Sequence, residues 1–358
     1  MSQVLYRKYR PKTFKEVEGQ EHVVCTLQGA LLTGRVGHAY LFCGPRGTGK
    51  TTMARLLAKA LNCENRIKGS VLSIKELETS STEPCNTCHS CAEINEGRSL
   101  DLIEIDAASN RGIDEIRNLK DSAQVAATGG GYKIFIVDEC HMLTREANNA
   151  LLKLLEEPPS HVIFVLATTE PHKVPDTVLS RVQRFDFKKI SGEAIAKKLR
   201  EIAKQEKLLI DDDALVTIAS SASGSLRDAE SSLNKLIAYS GAKITDEQVA
   251  EALGIVPHHI HQKLLELIKQ KSGPEAIAQV ARLYESGVDM DNFVKQFVKY
   301  ARTELIGLLN QPIAVSSVQS EPEFLIKVIN FFVKAGGELK FSPVPQLPVE
   351  LAILELTK

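Results

Sequence analysis

The octapeptide Gly44-Pro45-Arg46-Gly47-Thr48-Gly49-Lys50-Thr51 constrains this chain more than any other stretch of it. Its glycines let successive backbone N–H groups turn inward around phosphate oxygens, and a helix starting at its end adds a partial positive charge. Lys50 is then placed to reach β- and γ-phosphates, and Thr51 to ligate Mg2+. The pattern carries weight only between a strand and a helix, and both are present. Ala39–Cys43 is a short apolar run, and in Thr51–Leu61 the residues Ala54, Leu57, Ala58 and Leu61 recur at helical spacing. By composition alone such a pattern arises in roughly one chain in a hundred of this length. The loop therefore predicts a bound nucleoside triphosphate, ATP for instance, with Mg2+.

Three further apolar runs, Leu102–Ile105, Lys133–Val137 and Val162–Ala167, alternate with helical stretches. Such character suits parallel strands covered on both faces, so the first half reads as a doubly wound α/β domain. In the helix predicted over Thr144–Glu157, Ala147, Ala150, Leu151, Leu154 and Leu155 share a face, and Pro158-Pro159 stops it. The strand Lys133–Val137 runs straight into Asp138-Glu139, and carboxylates at such a strand end face the ligand crevice. Asp138 is placed to hold Mg2+ through water and Glu139 to polarise an attacking water. That pair specifies hydrolysis rather than binding alone. A dinucleotide fold is disfavoured, because the loop carries the phosphate lysine and lacks Gly-x-Gly-x-x-Gly. Val165-Leu166-Ala167-Thr168-Thr169 ends a neighbouring strand, where a hydroxyl can sense a γ-phosphate.

After about Lys188 the strand signals vanish and the rest reads as helices. Ser191 caps one through Lys204, and a Thr245/Gln248 capping box opens another through Leu253. Pro274 stands in the first turn of a third. Phe293, Phe297, Ala301, Leu305 and Leu308 mark a longer one. Gln311–Pro322 and Thr79–Pro84 read as loops, with helices again at Phe324–Lys334 and Pro348–Leu356. Gly254-Ile255-Val256-Pro257 is the expected joint between two helical domains.

Cys85, Cys88 and Cys91 recur every third residue after Pro84. Three thiolates so spaced suit tetrahedral Zn2+, which needs a fourth ligand. Cys63, just past the P-loop helix, is the first candidate, with His89 as the alternative. Four thiolates leave no open position, so the zinc is expected to be structural. Cys43 and Cys140 read as core residues and Cys25 as part of a helical apolar face. Seven cysteines are an odd number for a disulfide framework. No apolar run matches a membrane span and the N-terminus lacks a signal-peptide core, so a cytoplasmic chain without a membrane partner is expected. With 44 basic and 45 acidic residues, any nucleic-acid contact rests on local patches, such as Arg111, Arg145 and Lys153.

In order along the chain stand Tyr6-Arg-Lys-Tyr-Arg-Pro11, Gly19-Gln20, His38-Ala-Tyr-Leu-Phe42, the P-loop, and Cys63 with the cysteine knuckle. They are followed by Glu104-Ile-Asp-Ala-Ala-Ser109, Asp138-Glu-Cys-His141, Ala150-Leu-Leu-Lys-Leu-Leu-Glu-Glu-Pro-Pro159, Ser180-Arg181 and Gly224-Ser-Leu-Arg-Asp-Ala229. The set resembles the AAA+ clamp-loader ATPases of bacterial DNA replication, from the N-terminus to about Gly254. The knuckle separates that family from most other AAA+ motors, Holliday-junction helicases among them. Intact Lys50, Thr51, Asp138 and Glu139 speak against a non-hydrolysing scaffold subunit.

The resemblance implies an AAA+ RecA-like ATPase domain over residues 1–188 with a zinc-binding insertion at 63–91. A helical lid over 189–254 and an all-α collar over 255–358 would follow. It implies Thr169 as sensor 1 (Thr168 as the alternative), Arg227 as sensor 2, and Arg181 as an arginine finger reaching a neighbouring subunit's ATP. The family usually has a cysteine after that Ser-Arg pair, where Val182 stands here. The implied partners are delta and delta-prime clamp-loader subunits, further copies of this chain, the beta sliding clamp and primer–template DNA. The implied protein belongs to a polymerase holoenzyme, grouped with DNA-directed DNA polymerases and nucleotidyltransferases, while its own activity is ATP hydrolysis. Ending at Lys358, it resembles a short form expected to bind the clamp-loader partners but not the polymerase.

Overall fold

The structure, a computed structural model, describes residues 4–69, 82–128, 131–240, 243–254, 256–310 and 320–358. Five parallel strands form one sheet: β1 (Ala39–Cys43), β2 (Leu102–Asp106), β3 (Lys133–Asp138), β4 (Val162–Thr168) and β5 (Gln183–Asp186). Their order is β2-β3-β4-β1-β5. Every residue of β1 and β4 is buried, as parallel strands covered on both faces require. Because side chains alternate across a strand, Tyr40 and Phe42 enter the core on one face, while Ala39, Leu41 and Cys43 enter the core on the other.

The helices of this half are α1 (Leu5–Lys8), α2 (Glu21–Thr33), α3 (Lys50–Asn62), α4 (Glu64–Gly69), α5 (His89–Glu96), α6 (Ile113–Gln124), α7 (Arg145–Glu156) and α8 (Asp176–Leu179). Of these, α2, α3 and α5 share one apolar core with the strands and α6, α7 and α8 the other. Thr144 caps α7, its hydroxyl accepting the Ala147 N–H at 3.2 Å. The helix ends two residues before the Pro158-Pro159 pair. The helix after the P-loop begins one residue earlier than its apolar spacing predicts, because Gly49, at φ 100°, supplies its cap.

The later elements are α9 (Gly192–Gln205), β6 (Leu209–Ile210), α10 (Asp212–Ser221), α11 (Leu226–Ser240), β7 (Lys243–Ile244), α12 (Asp246–Leu253), α13 (His258–Lys269), α14 (Gly273–Glu285), α15 (Met290–Asn310), α16 (Ser320–Glu338) and α17 (Leu347–Thr357). Ser191 caps α9 and the Thr245/Gln248 capping box opens α12, as expected. The chain divides into two compact units, one of Met1–Ile202 with Ala222–Ser231 and one of Ala203–Ser221 with Ser232–Lys358. In the second, α13 to α17 share an apolar core built around Phe293, Phe297 and Phe332.

Four expectations need correction. β5 gives no apolar signal, since its register against β1 leaves three of its four residues exposed at the sheet edge. Strands do not vanish after Lys188: β6 and β7 form a two-residue parallel pair too short for periodicity to register. Cys25 lies on the exposed side of α2, whose buried face is Val23, Leu27 and Leu31. Ser320, Glu321 and Pro322, read as loop, begin α16, where proline is tolerated in a first turn. The remainder of that loop, 311–319, and the 79–81 part of the other lie outside the described residues.

Candidate active site and metal centre

The P-loop, the N-terminal segment and residues 226–230 enclose a pocket of about 470 Å³, lined by Gly47 to Thr52, Asp138, Glu139 and Arg227 among others. Two P-loop glycines are sterically obligatory. A Cβ on Gly44 would stand 2.5 Å from the Phe187 carbonyl, and one on Gly47 would stand 1.9 Å from Ser225 Oγ. Ser225 opens α11, and the Leu226 N–H donates to the Gly47 carbonyl at 3.1 Å, so the helix carrying Arg227 starts on the phosphate loop itself.

Lys50 is buried and folds back, donating to the Gly44 carbonyl at 2.8 Å and the Pro45 carbonyl at 2.9 Å. Burial lowers its pKa, opposed by Glu139 and Asp138. Thr51 Oγ1 donates to Asp138 Oδ2 at 2.8 Å. The hydroxyl and carboxylate expected to hold Mg2+ therefore stand side by side. Both are oxygen donors of the kind that hard cation takes, and the donor set fits it.

Glu139 sits in the left-handed region at φ 49°, a backbone state uncommon for glutamate. Its Oε2 accepts from Thr169 twice, from the hydroxyl at 2.8 Å and from the N–H at 3.2 Å. Thr168 is fully buried and points elsewhere, 3.0 Å from His141 Nδ1. Arg227 stacks on the Tyr6 ring with its guanidinium 4.9 Å from the centroid. Arg181 lies away from this pocket, in an ion pair with Glu156 at 2.7 Å and bonded to the Thr177 carbonyl.

Tyr6, Arg10 and Glu230 also stand in the pocket wall; the first two lie in the Tyr6–Pro11 stretch that carries the resemblance, which assigned them no role, and Glu230 gave no signal. Glu230 could have been found only as the residue one helical turn beyond Arg227. It is 5% exposed, and burial pushes its carboxyl up from 4.5 to about 7 against the pull of Lys198 and Arg10. Because that value is raised, the stability Glu230 contributes is present below about pH 4.5 and lost as pH rises through 7. Glu230→Gln is expected to stabilise the protein at pH 8 by up to about 3 kcal/mol and to matter little at pH 5, as read by thermal melts at both.

Cys63, Cys85, Cys88 and Cys91 come together with their sulfurs within 4.8 Å of one another. Backbone N–H groups point at two of them, from Cys85 to Cys63 Sγ at 3.4 Å and from Cys88 to Cys85 Sγ at 3.3 Å. The four-sulfur set suits tetrahedral Zn2+. His89 is outside it, its side chain 80% exposed beside Glu93. Cys43 and Cys140 are buried core residues, and burial pushes the Cys140 thiol up to about 12. Lys59 ties the P-loop helix to the knuckle, its buried amine donating to the Lys12 carbonyl, Asn86 Oδ1 and Asn95 Oδ1 at 2.7–3.0 Å.

A five-stranded parallel sheet in this order, with a P-loop after one strand and a carboxylate pair after another, defines an AAA+ P-loop core. A solved structure of a RuvB mutant from Thermotoga maritima shares the fold, with a TM-score of 0.50 at 19% identity over 73% of this chain and 79% of that one. A family model described as "DNA polymerase III, delta subunit" matches residues 19–191. Another, "DNA polymerase III clamp loader subunit, ATPase lid domain", matches residues 194–242. DNA polymerase III subunit tau of Bacillus subtilis (strain 168) is 40% identical over 99% of this chain and 63% of its own length. DNA polymerase III subunit gamma of Buchnera aphidicola subsp. Acyrthosiphon pisum is 34% identical over 99% of this chain and 98% of its own. The chain belongs to the gamma/tau family of bacterial DNA polymerase III clamp-loader subunits. It spans about half to two thirds of the length of the tau relatives it matches.

Proposed function

We propose that the chain is the ATP-driven motor subunit of a replicative clamp loader, binding and hydrolysing ATP to open a sliding clamp and load it on primed DNA. The observation that carries this reading is the convergence of Lys50, Thr51, Asp138 and Glu139 on one pocket, with Arg181 outside it. A scaffold subunit needs none of the first four.

In this reading Gly44, Pro45, Arg46, Gly47, Thr48 and Gly49 cradle the phosphates, and Lys50 exchanges its two carbonyls for the β- and γ-phosphates. Thr51 and Asp138 hold Mg2+, which when bound supplies charge neutralisation at those phosphates. Glu139 polarises the attacking water after leaving Thr169, which acts as sensor 1. Arg227 leaves the Tyr6 ring for the γ-phosphate as sensor 2. Arg181 exchanges Glu156 for the ATP of a neighbouring subunit, so the isolated chain is a slow ATPase. Residues 1–188, 189–254 and 255–358 form the ATPase domain, lid and oligomerisation collar. The partners are delta and delta-prime subunits, further copies of the chain, the beta clamp and primer–template DNA, in the cytoplasm. The chain serves nucleotidyl transfer through the holoenzyme and not by chemistry of its own. Arg111, Arg145 and Lys153, all exposed, are available to DNA phosphates.

The test is steady-state ATP hydrolysis by the protein alone and then with delta, delta-prime, clamp and primed DNA. A slow rate that rises steeply only with the full set supports the reading, and a high rate indifferent to partners sinks it.

The four cysteines hold a structural Zn2+ in this reading. Purified protein is expected to carry one zinc per chain by elemental analysis, and Cys91→Ser to lose it together with several degrees of thermal midpoint. A metal-free wild type of unchanged stability would count against the site.

A further inference from the structure

Thr169 does not hold Glu139 in isolation. His141 lies in the short turn after β3, its side chain 6% exposed, with a carboxylate on either side. Its Nδ1 is 3.0 Å from Thr168 Oγ1 and 3.4 Å from Glu139 Oε2, and its Nε2 is 3.1 Å from Glu170 Oε2. Thr168 Oγ1 accepts the Glu170 N–H at 3.0 Å and shares a second hydrogen bond with His141 Nδ1. The Glu170 carboxylate can only accept, so its contact with the imidazole is a hydrogen bond donated by Nε2. The hydrogen bonds close on themselves, from the Glu170 N–H through Thr168 and His141 back to the Glu170 side chain. Lys173 anchors that carboxylate from outside at 2.9 Å. Thr169, the residue enclosed by the ring, supplies both donors to Glu139 Oε2.

We propose that His141 is a positioning residue for the water-polarising carboxylate, acting through the 168–170 turn to set where Thr169 holds Glu139 and how it releases it. The inference rests on the ATP-hydrolysis reading above. Within the ring Nδ1 stands 3.4 Å from Glu139 Oε2, and Thr169 makes the two hydrogen bonds that hold that oxygen. Opening the ring frees the turn, and displacements of about 1 Å at a catalytic group cost up to a hundredfold in rate.

The test uses wild type, His141→Ala, His141→Asn, Thr169→Val and the alanine–valine double variant, each with partners, clamp and primed DNA. His141→Ala is expected to lower kcat by roughly ten- to a hundredfold with KM and ATP affinity unchanged. His141→Asn, which can still hydrogen-bond Thr168 but is too short to reach Glu170, is expected to stay as slow. The double variant is expected to be no slower than the slower single, because both act on one contact. An alanine or asparagine variant at the wild-type rate overturns the inference. So does a loss fully additive with Thr169→Val, or one that appears as weaker ATP binding with a lowered thermal midpoint. A wild type that hydrolyses no ATP overturns the underlying reading as well, which separates the two failures.

Discussion

Glu139→Gln is expected to slow stimulated ATP hydrolysis by about 10²- to 10⁴-fold, the range general-base catalysis contributes, while ATP affinity stays within a few-fold of wild type. Affinity survives because phosphate binding falls to the loop amides and Lys50, which the substitution leaves alone. The fold survives too. An amide oxygen can still accept from the Thr169 hydroxyl and N–H that now hold Glu139 Oε2. What disappears is a carboxylate able to take a proton from water. Single-turnover hydrolysis beside equilibrium binding of a fluorescent nucleotide reads the two effects separately. A glutamine variant at the wild-type rate would move the base to another residue.

Arg181→Ala is expected to remove about 10³-fold or more of the stimulated rate, the scale of an arginine finger, with ATP binding and thermal midpoint unchanged. The midpoint is spared because the Arg181–Glu156 pair is solvent-accessible, with side chains 34% and 50% exposed. Such pairs contribute roughly 0–1 kcal/mol. An assembly mixing Arg181→Ala with Lys50→Ala subunits tests the direction of action. If the finger works across a subunit boundary, a Lys50-deficient subunit can supply its arginine to an intact loop next door, and part of the rate returns. No recovery in mixtures, with each variant binding its partners normally, would place Arg181 in a structural role.

Much of the site was legible because its chemistry is contiguous. The phosphate loop, the Asp138-Glu139 pair and the Cys85–Cys91 knuckle each occupy a few successive residues, and strand and helix periodicity around them places them on their elements. Cys63 was legible for a weaker reason, as the thiol at the mouth of the knuckle insertion, and the sulfur cluster includes it over His89. β5 was not, because its one-sided cover leaves a polar, charged edge strand with no apolar signature.

The sequence by itself determined which phosphates could be held and which carboxylates stood beside them, since backbone turn, helix start and strand end are local properties of the chain. Only the tertiary structure decided the contacts between distant residues. Ser225 seats on Gly47, Thr169 rather than Thr168 takes Glu139, and Glu230 enters the pocket wall beneath Arg227. His141 closes a ring with Glu170 that no spacing announces. These depend on β3 and β4 lying side by side and on α11 beginning against the phosphate loop. Neighbourhood in a parallel sheet is set by crossover connections between separated strands, which the local pattern of a strand does not encode.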